Sequence, residues 1–287
     1  MSIDLFVPEI WSARLQRHID ANRAYGDYVN DNWEGEIRDK GDTVRIQKAG
    51  RPEIRNYDKY RTSEPEQPRG TTQSLTIDRD KTFYFSLDDL DRIQVNARLM
   101  DEYTRGAGIE MAKTVDGDIS ARMVLGAGVA LGADNDPVTV RAGGDFVSFY
   151  DFIVGAAEQL DENDAPEESR WIVIPPSLVA MARRDDHFIP AGDQRQVTGV
   201  IGEVAGFEIR KTTRVPRSAG SGGSPVANRK VIFGCGNYAT TFANQLVAVE
   251  AERLQGGRFE DALKGRNAFG AKVIEPVTLG CAHVATR

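Results

Sequence analysis

Two hydrophobic periods divide this chain of 287 residues. Val44 and Ile46 alternate with Thr43, Arg45 and Gln47, and Leu75, Ile77, Phe83, Phe85 and Leu87 resume the alternation further on. A period of two buries one face of a strand, so the segments predict the arms of a β-hairpin. Between them, the 26 residues 48–73 hold Ile54 as the only aliphatic residue larger than alanine. A two-stranded ribbon is marginal in water by itself. The pattern therefore predicts a hairpin with no core of its own that packs on another subunit; an unstructured surface loop is the alternative for a segment this long.

Ahead of the hairpin, Phe6, Pro8, Ile10, Trp11, Leu15 and Ile19 recur at spacings near four. Pro8 suits a first helical turn, and residues 8–24 read as an amphipathic helix forming an arm. Past Leu87 the period changes to about 3.6, with Ile93, Ala97, Met100, Tyr103, Ala107, Met111, Val115, Ile119 and Met123 on one stripe. This predicts a single helix over 89–125, ~55 Å long at 1.5 Å per residue. Gly106, Gly108 and Gly117 each weaken it by roughly 1 kcal/mol, which predicts a bend near the first pair. The stripe is not a sustained heptad, so the helix is a spine for other elements and not a coiled coil.

Residues 126–144, GAGVALGADNDPVTVRAGG, read as a glycine-rich junction. A helix over 146–159, a buried strand over 171–174 closed by Pro175 and Pro176, and a helix over 177–184 then alternate as in an α/β lobe. Strands are predicted at 206–213 and 230–233, with the flexible RSAGSGGSP (217–225) between them. Val247, Val249, Phe259, Phe269, Val273 and Ile274 predict long terminal strands interrupted near Gly256 and Gly257.

Charge narrows the function. A net charge of −7 and a pI near 5.2 oppose strong nucleic-acid binding, which neutralises phosphates with a basic surface. No apolar run is long enough to cross a bilayer or to serve as a secretory signal, so a cytoplasm is the expected place of synthesis. Cys235 and Cys281 lack metal or redox spacing and read as reduced core residues. His18, His187 and His283 are isolated and form no HExxH pair. Gly126, Gly128 and Gly132 follow a helix at GxGxxxG spacing, unlike a dinucleotide loop; phosphate-loop and nucleophile-elbow motifs are missing. The acidic groups Asp88, Asp89, Asp91 and Asp134, Asn135, Asp136 suit helix starts and turns better than a metal. No catalytic, metal or cofactor site is expected.

The order of parts, and the phrases FVPEIWSARLQ (6–16), GDTVRI (41–46), KTFYFSLDDLDRIQ (81–94), TGVIGEVAGFEIRKTTRVP (198–216) and FEDALKGRNAFGAKVIEP (259–276), resemble the major capsid proteins of tailed double-stranded DNA bacteriophages. The family fold is also that of encapsulins and of the herpesvirus capsid floor. The resemblance implies an α+β capsid fold: N-arm at 1–35, E-loop at 36–90, peripheral P domain at 91–143 (spine helix) and 237–287 (return strands), and axial A domain at 144–236. It implies a non-enzymatic virion protein, assembled in the bacterial cytoplasm into hexamers and pentamers of an icosahedral shell enclosing DNA. A separate scaffolding protein and a portal are the expected partners, with a decoration protein possible in principle and only weak, non-specific contact with DNA.

Under this reading Lys48, Arg51, Arg55, Tyr57, Asp58, Lys59, Tyr60, Arg61, Glu64 and Glu66 contact the neighbouring subunit from the E-loop, with Tyr57 and Tyr60 as apolar anchors. Phe6, Trp11 and Leu15 make the N-arm contacts, and Arg217, Gly220, Ser221, Gly222 and Gly223 form a loop at the capsomer axis. Some family members crosslink a lysine to a neighbour's asparagine; Lys48 and Lys59 are the lysines within reach, but no local pattern identifies a partner, and a non-crosslinked shell is expected. The rival readings are an encapsulin-like nanocompartment and a cytoplasmic enzyme built on the α/β lobe.

Overall fold

A computed structural model describes residues 15, 17–32, 43–48, 54, 56, 70–88, 98–141, 147–183, 200–217, 228–253 and 260–286. The alternation at the hairpin is realised as β1 (Thr43–Lys48) and β2 (Thr71–Thr76), antiparallel with Val44 opposite Leu75. Their inward residues do find a core. Val44, Ile46, Leu75 and Ile77 bury against Ala243, Ala268 and Ile274 of the same chain, so the base of the hairpin is anchored at home, contrary to the expectation that it lacks a core. The approach is close: a Cβ on Gly270 would lie 2.4 Å from the Thr76 carbonyl. Lys272 donates from Nζ to the Ser74 carbonyl (2.9 Å), and Lys48 pairs with Glu275 (2.6 Å).

The third alternating segment leaves the hairpin. β3 (Arg79–Asp88) pairs with β11 (Glu260–Val273), which pairs in turn with β10 (Thr240–Arg253), giving an antiparallel sheet of order β10-β11-β3. Across it lies α1 (Arg98–Gly126), about 43 Å long at 1.5 Å per residue. Met111, Val115, Ile119 and Met123 are buried as the stripe requires, and Ala112, Asp116 and Ser120 form a second buried row beside them. Helical structure runs unbroken through Gly106, Gly108 and Gly117. Gly108 serves close packing: its missing Cβ makes room for the Cβ of His18 at 2.8 Å. The predicted start at 89–97 lies outside the described residues.

The second sheet has seven strands. Its order is β4 (Val129–Leu131), β12 (Leu279–Thr286), β9 (Asn228–Cys235), β6 (Arg170–Ile174), β8 (Phe207–Lys211) and β7 (Val200–Val204), with β5 (Val138–Val140) also beside β12. β6 (Arg170–Ile174), buried at all five positions, lies between β8 (Phe207–Lys211) and β9 (Asn228–Cys235). α2 (Phe149–Asp161), capped by the Ser148 hydroxyl accepting from Asp151 N–H, and α3 (Pro176–Ala182) contribute Phe149, Phe152, Ile153, Leu160, Leu178 and Val179 to the main core. β7 (Val200–Val204) turns into β8 through Ala205 and Gly206, both at positive φ, as a two-residue hairpin turn demands.

The expected junction at 126–144 contains two short strands, β4 (Val129–Leu131) and β5 (Val138–Val140), both parallel to β12 (Leu279–Thr286). Gly132, at φ 71°, turns the chain between them. β12 also pairs with β9, so the larger sheet recruits strands from outside 144–236 and residues 237–287 serve both sheets.

Candidate assembly surfaces

Residues 15–30 are built into the subunit. Leu15 and Ile19 are fully buried, Asn30 exchanges backbone hydrogen bonds with Thr240 and Phe242, and the Arg23 guanidinium sits 5.2 Å above the Phe242 ring. The firmest tie is Asp116, buried in the middle of α1. Its carboxylate accepts from Ala24 N–H (2.8 Å) and pairs with Arg214, whose Nη1 also donates to the Asn22 carbonyl (2.6 Å). Burial pushes the Asp116 carboxyl above its ordinary value, against the lowering effects of the Ala24 N–H and Arg214. Leu15 therefore belongs to this chain's own core and is not presented to a neighbour, which corrects its place among the arm contacts. Phe6 and Trp11 lie outside the described residues.

At the hairpin, Lys48 pairs with Glu275 of its own subunit. Arg51, Arg55, Tyr57, Asp58, Lys59, Tyr60, Arg61, Glu64 and Glu66 lie outside the described residues. Ile54 is 96% exposed, an aliphatic side chain without cover among the described residues.

The larger sheet ends in two charged regions. At one end the cross-strand bridge Arg217–Arg229 sets two guanidinium-bearing residues opposite each other at the base of the glycine-serine loop, and Pro216 accepts from Lys230 N–H (2.8 Å). Arg217 is exposed; Gly220, Ser221, Gly222 and Gly223 lie outside the described residues. At the other end a cleft of about 590 Å³ is bordered by Asp27, Glu167, Glu203 and Glu208. Tyr28, Trp171 and Arg170 also line it; Tyr28 stacks on Trp171 at 4.3 Å between centroids, and Arg210 lies 4.9 Å over the Tyr28 ring. Arg210 pairs with Asp27 (2.6 Å), and the Tyr28 hydroxyl donates to Glu208 (3.1 Å). Burial pushes the Tyr28 hydroxyl well above its ordinary pKa.

Sequence reasoning missed Asp116, Arg214 and Asn30. Asp116 carried a signal: with Ala112 and Ser120 at spacings of four, it follows the small inner row of an apolar helix, where a lone carboxylate needs partners. Both cysteines are free and buried, as expected, and burial raises the Cys281 thiol to about 11. His283 Nδ1 lies 2.9 Å from Asp134, which Lys230 also pairs. Among the described residues no group of His, Cys, Asp or Glu is arranged to hold a metal, and no helix is long and apolar enough to cross a membrane.

A long helix laid over a three-stranded sheet, a hairpin rooted on that sheet, and a mixed-sheet lobe make up an α+β subunit. The chain belongs to the phage capsid protein family, whose model matches residues 71–280; it is a structural, non-enzymatic component of a viral capsid. Its fold is similar to that of a chain of Mycobacterium phage Che8 (TM-score 0.66, 22% identity, covering 90% of this chain and 89% of that one). Similar too are the capsid of Ralstonia phage GP4 (0.61, 13%, 89% and 85%) and a virus-like particle from Pyrococcus furiosus (0.55, 12%, 96% and 98%). No curated protein sequence matches the chain.

Proposed function

We propose that the subunit is a major capsid protein that assembles into hexamers and pentamers of an icosahedral shell around double-stranded DNA. The reading is carried by the family match together with the hairpin: its base is fixed to β10 and β11 while the Ile54 side chain stands exposed. Residues 49–69 act as the E-loop lying across the adjacent subunit, where Tyr57 and Tyr60 gain a packing surface and the charges of Arg51, Arg55, Asp58, Lys59, Arg61, Glu64 and Glu66 meet complements. The N-arm is the segment before Leu15, with Phe6 and Trp11 as its apolar contacts. The lobe that holds β6–β9 is the axial A domain, and the glycine-serine loop faces the capsomer axis. A scaffolding protein and a portal complete assembly in the bacterial cytoplasm.

Negative-stain microscopy of the purified chain tests the proposal: closed particles of uniform diameter are the expected result, and a small soluble oligomer at assembly concentrations overturns it. The second reading is an encapsulin-like nanocompartment that packages an enzyme instead of DNA, a shell the same fold can build; the chain's fold is similar to that of a virus-like particle from Pyrococcus furiosus. Nuclease-protected DNA inside particles from infected cells separates the two.

A further inference from the structure

The larger sheet carries a basic couple at one end and exposed carboxylates at the other. Arg217 and Arg229 face each other across an antiparallel bridge, and directly opposed like charges destabilise a strand pair. Burial and the Arg217 charge both lower the Arg229 pKa. No described carboxylate pairs with either residue, and the loop between them, 218–227, contains neither aspartate nor glutamate. Among the described residues the couple therefore lacks an anion. At the far end, Glu167 and Glu203 border the 590 Å³ cleft, exposed and without a cation partner among the described residues.

β9 measures the separation. Arg229 stands near its start, and Gly236, just past its end, lines the cleft and donates its N–H to Ser169. Seven residues of strand span about 23 Å, well beyond the Debye length of about 8 Å at physiological salt, so neither patch neutralises the other inside one subunit. A head-to-tail interface joins two different patches of identical copies and closes into a ring when the rotation permits. Resting on the capsid reading, we infer that the Arg217–Arg229 couple of one copy docks on the Glu167–Glu203 cleft of the next, as a repeating contact around the capsomer ring. Opposite charge there sets register and rejects misaligned neighbours, while the weakness of each exposed pair keeps assembly reversible until the ring closes.

Three variants test this, each first checked for native melting: R217E with R229E, E167R with E203R, and all four together. Light scattering should show each double variant assembling at least about tenfold more slowly, because juxtaposed like charges cost several kcal/mol, and the fourfold variant recovering to within about threefold of native, because complementarity is restored. Native-rate assembly of the arginine reversal overturns the inference, as does a folded fourfold variant that stays inert. So does an arginine reversal that closes normally and holds less nucleic acid, which would assign the couple to phosphate. Should the arginine reversal lose cooperative melting, R217Q with R229Q takes its place, with slower assembly expected and native-rate assembly overturning. A native chain that forms no particle rejects the capsid reading itself, a result distinct from all of these.

Discussion

Two glycines sit opposite phenylalanines in neighbouring strands, and substituting them should give unequal results. A Cβ on Gly280 would fall 2.2 Å from the Phe233 ring, and one on Gly265 would fall 2.3 Å from the Phe83 ring. Both pairs are in direct register, so by contact distance alone the two alanine variants are equivalent. They differ in where the ring can go. Phe233 is fully buried in the larger sheet, edge-on to Phe207 at 6.4 Å and 83°; Phe83 is only partly buried. Overpacking a tight core costs roughly 1–3 kcal/mol, and Gly280→Ala belongs at the top of that range because Phe233 has no exit. Gly265→Ala should cost less than about 1 kcal/mol, since the Phe83 ring can swing toward solvent. At 2–4 °C per kcal/mol for chains of this size, the melting temperature should fall by roughly 6–12 °C in the first case and under about 4 °C in the second. Calorimetry of the unassembled subunit measures both. Adding Phe233→Leu to Gly280→Ala should recover part of the loss, because the shorter side chain vacates the clash. Equal losses for the two glycines, or no coupling between positions 280 and 233, would refute the argument that ring mobility decides the cost.

Asp116→Ala should destabilise the subunit by roughly 3–5 kcal/mol, since it leaves Arg214 without its charge partner and Ala24 N–H without an acceptor; urea unfolding checks this. The folded-state pKa of Asp116 is raised, so its contribution to stability is greatest below the unfolded value of 3.8 and declines as pH rises through the folded value. Native stability minus that of Asp116→Asn should therefore shrink from acid toward neutral pH, and a constant difference would contradict the shift. Cys235 and Cys281 should resist alkylation at pH 8 in the native subunit and react promptly in denaturant, because both are buried and Cys281 ionises only at about 11; rapid native labelling would count against that burial. Replacing residues 50–69 with a two-residue turn should leave melting within a few degrees of native while abolishing particles, since the Lys48–Glu275 pair and the Val44–Leu75 core remain. An equimolar mixture of the R217E/R229E and E167R/E203R chains should form hexamers but no pentamers by native mass spectrometry, because only an even ring can alternate the two; pentamers in native proportion would contradict the head-to-tail contact.

The alternation around Val44, Ile46, Leu75 and Ile77 and the stripe from Met111 to Met123 were legible because each buries a single face at one period. What covers those faces was not. The hairpin base looked unsupported because Ala243, Ala268 and Ile274, which cover it, lie some 200 positions further on. β4 and β5 escaped notice for another reason: three-residue strands carry too little period to read. Leu15 read as part of a free arm because its helix is amphipathic, and only Gly108 on α1 shows where that face docks. The Arg217–Arg229 couple depends on closure of a loop whose glycines and serines reveal nothing of where its ends meet.

The place of β12 has a consequence for the order in which the chain can fold as it is synthesised. β4 and β5 have β12 as their sheet neighbour, and Gly128 N–H reaches the carbonyls of Pro276 and Leu279. About 150 residues separate β4 from the strand it awaits, and contacts so distant in sequence form late. Until residues 279–286 leave the ribosome, β9 lacks the neighbour on one side. A nascent subunit is thus unable to complete its larger sheet until β12 is made, and the open edge of β9 is exposed to pairing with other chains for that interval.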